Sequence, residues 1–171
     1  MKSATMMMLA AASMLALTGA AKPGATATVS GADGIAHGTV TAVESPKGLK
    51  ITYKAVGLPP GEHGVHIHMT GKCEAPGFTT AGGHWNPTGK MHGSMNPMGP
   101  HAGDLPNLKI GANGKGVVSF LVPGATLTTG AEALLDADGA AFVVHAAQDD
   151  LKTDPSGNSG GRIACGVFSA G

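Results

Sequence analysis

From Ala25 onward the chain alternates apolar and polar side chains in short runs. In "LKITYK", Leu49, Ile51 and Tyr53 alternate with Lys50, Thr52 and Lys54, the period-two signature of a strand with one buried face. "ATATVSG" (25–31) and "GIAHGTVTAVE" (34–44) carry the Val, Ile and Thr content of strands. "SPKG" (45–48) reads as a hairpin turn, and "LPPGEHG" (58–64) breaks the chain before a strand at Val65–His68. Strands resume at Leu105–Ile110, turn at "ANGKG", and continue with "GVVSFLVP", "AAFVVHAA" and "RIACGVF". The chain has no long amphipathic helix and no internal repeat. The pattern predicts an all-β, antiparallel sandwich or barrel of roughly eight short strands.

Three stretches break this pattern. Lys2 followed by apolar residues from Met6 to Leu17 and then "LTGAAKP" reads as a signal peptide, since the apolar run is too short to span a bilayer. Cleavage after Ala20 or Ala21 leaves residues 22–171 as a single domain, periplasmic or secreted and free of the membrane. Residues 69–104 are rich in Gly, Pro, Met and His with no sustained period, and Gln148–Gly161 form a second polar loop. Loops of that length inside a compact domain are usually functional.

Composition narrows the function. The 28 glycines and 11 prolines fit a turn-rich fold, and aromatic residues make up only 4 %, so aliphatic side chains must fill most of the core. The formal charge is zero with histidine neutral. Without a basic run or a series of stacking aromatics, nothing indicates a nucleic-acid partner. The two cysteines, Cys73 and Cys165, form an even pair in an exported chain, which favours a disulfide. Closing a loop of about 90 residues is worth roughly 4–5 kcal/mol in the chain-entropy model.

The candidate chemistry lies in the histidines. In "GVHIH", His66 and His68 project from one strand face and Val65 and Ile67 from the other, so the imidazoles can share a metal. The long loop adds His84, His92, His101 and Asp104. Three imidazoles and one carboxylate would complete a closed tetrahedral zinc site. His145 ends the apolar run "AFVVH", placed either to hydrogen-bond in the core or to reach a metal. His37 reads as a non-ligand, and His63, in the turn after "PPG", as a hydrogen-bonding support.

"GVHIH", "GGHWNP", "KMHG", "PHAGDLPN", "FVVHAAQDD" and "GNSGGRIACGV" together resemble the copper–zinc superoxide dismutases over about residues 34–168. The resemblance implies an eight-stranded antiparallel Greek-key barrel with two long functional loops. It implies one copper ion held by His66, His68, His84 and His145, and one zinc ion held by His84, His92, His101 and Asp104. His84 would bridge the metals and deliver a proton to departing peroxide. Asp149 would link one ligand of each metal, and Arg162 would guide the superoxide substrate to copper. Cys73 and Cys165 would form the family's intrachain bridge, and members are often homodimeric.

Some features are particular to this chain. The segment between Asp150 and Arg162 carries only Lys152 and Asp154 as charges, so the family's steering charges have no counterpart there. Lys72, Lys90 and Lys152 are the candidate steering cations. Phe168 is larger than the aliphatic residue expected at its position. Met91, Met95 and Met98 decorate the zinc loop and read as filler over apolar surface, with copper loading through thioether sulfur as the other reading. Two other functions compete: a non-catalytic copper or zinc carrier on the same scaffold, which would have no need of Arg162, and a zinc hydrolase, which would need an open zinc position.

Overall fold

The computed structural model describes residues 24–171; the expected signal peptide, residues 1–21, lies outside them. The strands are β1 (Gly24–Gly31), β2 (Ala36–Ser45), β3 (Gly48–Ala55), β4 (Gly61–His63), β5 (Val65–His68), β6 (Leu108–Ile110), β7 (Gly116–Pro123), β8 (Ala141–His145), β9 (Arg162–Val167) and β10 (Ser169–Ala170). Hydrogen-bonded order is β5-β8-β9-β1-β2-β3-β7, with β10 pairing β1 and β4 pairing β6. Every ladder is antiparallel. β3 pairs with β7 rather than with its neighbour β4, and β8 lies between β5 and β9, so the long connections cross in Greek-key fashion.

The ends of this order meet through β6. β4 runs into β5 across Gly64, and the turn at 111–115 folds β7 back onto β6. The approach is tight enough that a Cβ on Gly116 would collide with the Lys109 carbonyl. With β4 and β5 counted as one interrupted strand and β10 as an edge addition, eight strands curl into a barrel.

The predicted alternation in β3 holds residue by residue. Leu49, Ile51 and Tyr53 are buried while Lys50 and Lys54 are exposed. They join Val40, Ala42, Val65, Ile67, Phe142 and Val144 in the main core. The Tyr53 and Phe142 rings lie 4.8 Å apart, and the Tyr53 hydroxyl donates to the His37 carbonyl at 2.7 Å. Phe168 belongs to the same core, so its extra volume fills the barrel interior.

β5 and β8 are buried along their whole length, because one face meets this core and the other is roofed by the long loops. A second apolar cluster of Phe78, Ala81, Ala141, Val143 and Cys165 packs under the roof. The Cys73–Cys165 disulfide ties the loop after β5 to β9. Two expectations shift in detail. β6 begins at Leu108 rather than Leu105, since Pro106 has no N–H to give a ladder. His63 sits on β4 rather than in a turn.

Candidate metal centre

The loop after β5 returns twice to that strand's open edge. Trp85 N–H donates to the Ile67 carbonyl at 2.8 Å, and Ile67 N–H donates to the Gly103 carbonyl at 2.9 Å. Single bridges then set His84 opposite His68, and Asp104 opposite His66. Gly103 is required at this crossing, because a Cβ there would collide with the Ile67 carbonyl. β8 supplies His145 from the other side of β5. Residues distant in sequence thereby converge on the outer face of β5.

Each ring is turned by a partner on its outward nitrogen. His68 Nδ1–H donates to the Gly82 carbonyl at 2.9 Å, and His145 Nδ1–H to the Gly160 carbonyl at 3.1 Å. His66 Nε2–H donates to Asp149 Oδ2 at 2.6 Å, and His84 Nδ1–H to Asp104 Oδ1 at 2.8 Å. Such partners fix tautomer and orientation. The inward nitrogens left over are His66 Nδ1 and the Nε2 atoms of His68, His84 and His145, all buried and without a hydrogen-bond partner among the described residues. One ligand atom from each of these residues lies within 4.8 Å of the others. An unpaired buried polar group costs about 1–3 kcal/mol. Four such nitrogens in one place, with lone pairs convergent, form a donor set suited to copper.

The second group centres on Asp104. Its Oδ2 accepts the Gly93 and His101 amides at 2.8 and 3.0 Å. Its Oδ1 faces the Nδ1 atoms of His84, His92 and His101 at 2.8, 3.0 and 3.2 Å. Proximity alone also groups His66 with His84, His92 and Asp104, because the His66 ring stacks on His84 at 3.9 Å. The orientation of His66 argues against that grouping: Asp149 holds its Nε2 and its free Nδ1 belongs to the four-nitrogen ring. His101 is the consistent fourth member, and three imidazoles plus one carboxylate suit a closed zinc site.

Asp149 joins the two groups. Its Oδ2 meets His66 and its Oδ1 accepts from His92 Nε2 at 3.0 Å. Asn107 clamps its backbone from both sides, donating to the Asp149 carbonyl at 2.8 Å and accepting its amide at 2.9 Å. Burial works against charge on both aspartates, yet the bonds from His84 and His92 hold Asp104, and those from His66 and His92 hold Asp149, well below the usual carboxylate range. Burial pushes His66 down to about 3, His68 to about 2 and His145 to about 4. It lowers His84 as well. Those rings are neutral and ready to ligate. His92 is the exception: burial opposes its charge, but the hydrogen bonds to Asp104 and Asp149 raise it to about 9.

Arg162 stands at the mouth. Its Nη1 and Nη2 donate to the Phe78 and Gly82 carbonyls, each at 2.7 Å. It lines a pocket of about 360 Å³ with His68, His84 and His145. Desolvation lowers its affinity for its proton, but a guanidinium stays charged. None of the three candidate steering lysines lines this pocket; Lys90 instead borders a separate cavity beside Phe120. His37 lies away from the cluster, its Nδ1 at 3.2 Å from the Val56 carbonyl. His63 Nδ1 lies 2.8 Å from the His145 carbonyl, supporting the backbone of that residue and not its ring. Met91, Met95 and Met98 are exposed, the last two by 66 and 70 %. The sequence reading gave no role to Asn107, Gly82 or Gly160. The last two act through carbonyl oxygens, which no side-chain motif advertises.

A family model described as copper/zinc superoxide dismutase matches residues 36–168. The chain is 46% identical over 138 residues to a Cu-Zn superoxide dismutase of Aquifex aeolicus, covering 80% of this chain and 81% of that one. Among solved structures, a SOD-like protein from Bacillus subtilis superposes with a TM-score of 0.79 at 44% identity, covering 83% of this chain and 96% of that one. The Cu/Zn superoxide dismutase from Brucella abortus gives a TM-score of 0.66 at 32% identity, covering 84 and 98%. With its barrel, its paired histidine groups and matches of this extent, the chain belongs to the copper/zinc superoxide dismutase family.

Proposed function

We propose that the chain disproportionates superoxide to dioxygen and hydrogen peroxide, with His66, His68, His84 and His145 holding copper and His84, His92, His101 and Asp104 holding zinc. The observation that carries this reading is the ring of four buried, unpartnered imidazole nitrogens, one of which belongs to a residue whose other nitrogen faces Asp104. Bound copper supplies one-electron chemistry in both directions, and bound zinc a fixed positive charge.

The chain's own residues do the rest. Arg162 attracts and orients a small anion against His68, His84 and His145, using the guanidinium N–H groups left over from its two carbonyl anchors. His84 is held on its Nδ1 side, so its Nε2 is the atom that takes up a proton and releases it to the product. His84 supplies one proton and solvent the second, so that two superoxide anions and two protons give one dioxygen and one hydrogen peroxide. Asp149 and Asn107 keep His66 and His92 in register. The signal-like N-terminus and the Cys73–Cys165 disulfide support a periplasmic or secreted location. No helix among the described residues is long and apolar enough to cross a membrane.

The test is metal stoichiometry with copper electron paramagnetic resonance before and after selective zinc removal. The expected result is one copper and one zinc per chain, with a copper signal that changes when zinc leaves, because His84 is shared. A copper signal indifferent to zinc would overturn the shared-ligand assignment.

A further inference from the structure

Two openings reach His84, and they differ in polarity. One is the pocket of Arg162, His68 and His145. The other is a groove of about 500 Å³ bordered by Met69, Asp136 and Asp138, which shares His84 and Asn86 with the first. His84 is 8 % exposed and its Nε2 has no partner. Met69 follows β5 directly, is 48 % exposed, and its amide donates to the Gly83 carbonyl at 3.0 Å. Its Sδ lies 3.6 Å from where a Cβ on Gly82 would stand, beside the segment leading into His84. Asp136 and Asp138 form no ion pair with lysine or arginine among the described residues.

A guanidinium at a narrow mouth favours an anion and repels a cation. Copper must nevertheless reach the four-histidine ring. The second groove offers what the first lacks: two carboxylates that attract a cation, and a thioether, which is a soft ligand and prefers Cu(I). We propose that the Met69 groove is the entry path by which Cu(I) reaches the ring of His66, His68, His84 and His145, while superoxide enters past Arg162. This rests on the copper assignment above. The carboxylates raise the local concentration of cations generally; Met69 selects the monovalent copper ion and passes it to His84.

The test uses the mature chain loaded with zinc alone. It is mixed anaerobically with Cu(I) in acetonitrile-containing buffer and, separately, with Cu(II) sulfate, and copper content is measured on desalted samples over time. Met69→Leu should slow Cu(I) uptake roughly threefold or more and leave Cu(II) uptake unchanged, because only the soft ion uses sulfur. Asp136→Asn with Asp138→Asn should slow both ions about tenfold at low salt, with the difference vanishing at high salt. Final copper per chain, and dismutation per bound copper in Met69→Leu, should match the wild type, which shows that the variants fold. Cu(I) uptake at the wild-type rate in both variants overturns the entry path alone. A wild-type chain that takes up no copper overturns the copper assignment and the path together.

Discussion

Arg162 is held by two main-chain oxygens, Phe78 and Gly82, and among the described residues it pairs with no carboxylate. Its charge is therefore free to act on an incoming anion. Arg162→Ile should lower the rate of superoxide removal by about tenfold or more, as losing the charge of a focusing cleft does, while metal analysis finds copper and zinc unchanged. Full activity in that variant would overturn the guiding role of Arg162. The metal-free chain should also record its histidines in its pH–stability profile. His66, His68 and His145 ordinarily protonate near 6.5 but in the fold only at about 3, 2 and 4. Between those values the unfolded chain binds more protons, so stability falls as pH drops below about 6.5. His92, raised to about 9, runs the opposite way: the fold keeps a proton that the unfolded chain has lost, so stability falls as pH climbs from about 6.5 to 9. Thermal unfolding of the metal-free chain should therefore be latest near pH 6.5. Zinc loading should remove the alkaline decline, since a ligated His92 is a neutral imidazole that keeps only its Nε2 proton and no longer titrates in that range.

The site is made where two loops are stitched together. His92 N–H donates to Asp154 Oδ1 at 2.7 Å and Met95 N–H to the Leu151 carbonyl at 2.9 Å. Gly93 makes the close approach possible: its φ is +98°, and a Cβ would collide with the Leu151 carbonyl. Gly93→Ala should cost about 1 kcal/mol or more in stability. By separating His92 from Asp149 it should also weaken zinc binding more than copper binding, as competition with a chelator would measure. At this scale the sequence is legible wherever one period runs unbroken. β3 can be read from Leu49, Ile51 and Tyr53, and β5 from the pair His66 and His68. β4 could not be read, because three residues starting at the glycine of "LPPG" are too few to show a period and its partner β6 lies far along the chain. The histidines of the loop are visible as a constellation. Their arrangement is not, because it depends on main-chain groups of Gly103, Gly82 and Gly160, which no side-chain motif marks. Nor does sequence show which charges meet at the mouth: only the fold shows that Arg162 lines it with His68, His84 and His145, and that Lys72, Lys90 and Lys152 do not.

Across the whole molecule, the disulfide links catalysis to folding. Cys165 lies on β9, three residues beyond Arg162, and Cys73 begins the loop that carries Phe78 and Gly82. The same bond therefore holds the strand bearing the guanidinium and the loop bearing both of its acceptors. It also caps the apolar cluster of Phe78, Ala81 and Val143. Cutting it should do two separable things. Replacing Cys73 and Cys165 with serine frees a chain segment of 92 residues and should lower unfolding free energy by about 2–5 kcal/mol, read by denaturant titration of the metal-loaded protein. The segment from Cys73 to Gly82 should then drift from β9, so that Arg162 loses its fixed aim and His68 its Gly82 anchor, while His66, His84 and His145 keep theirs through Asp149, Asp104 and Gly160 beyond that segment. Superoxide removal per bound copper should fall well before copper itself is lost. If activity and copper content declined in strict proportion, the bridge would be serving stability alone and the positioning of Arg162 would have another source.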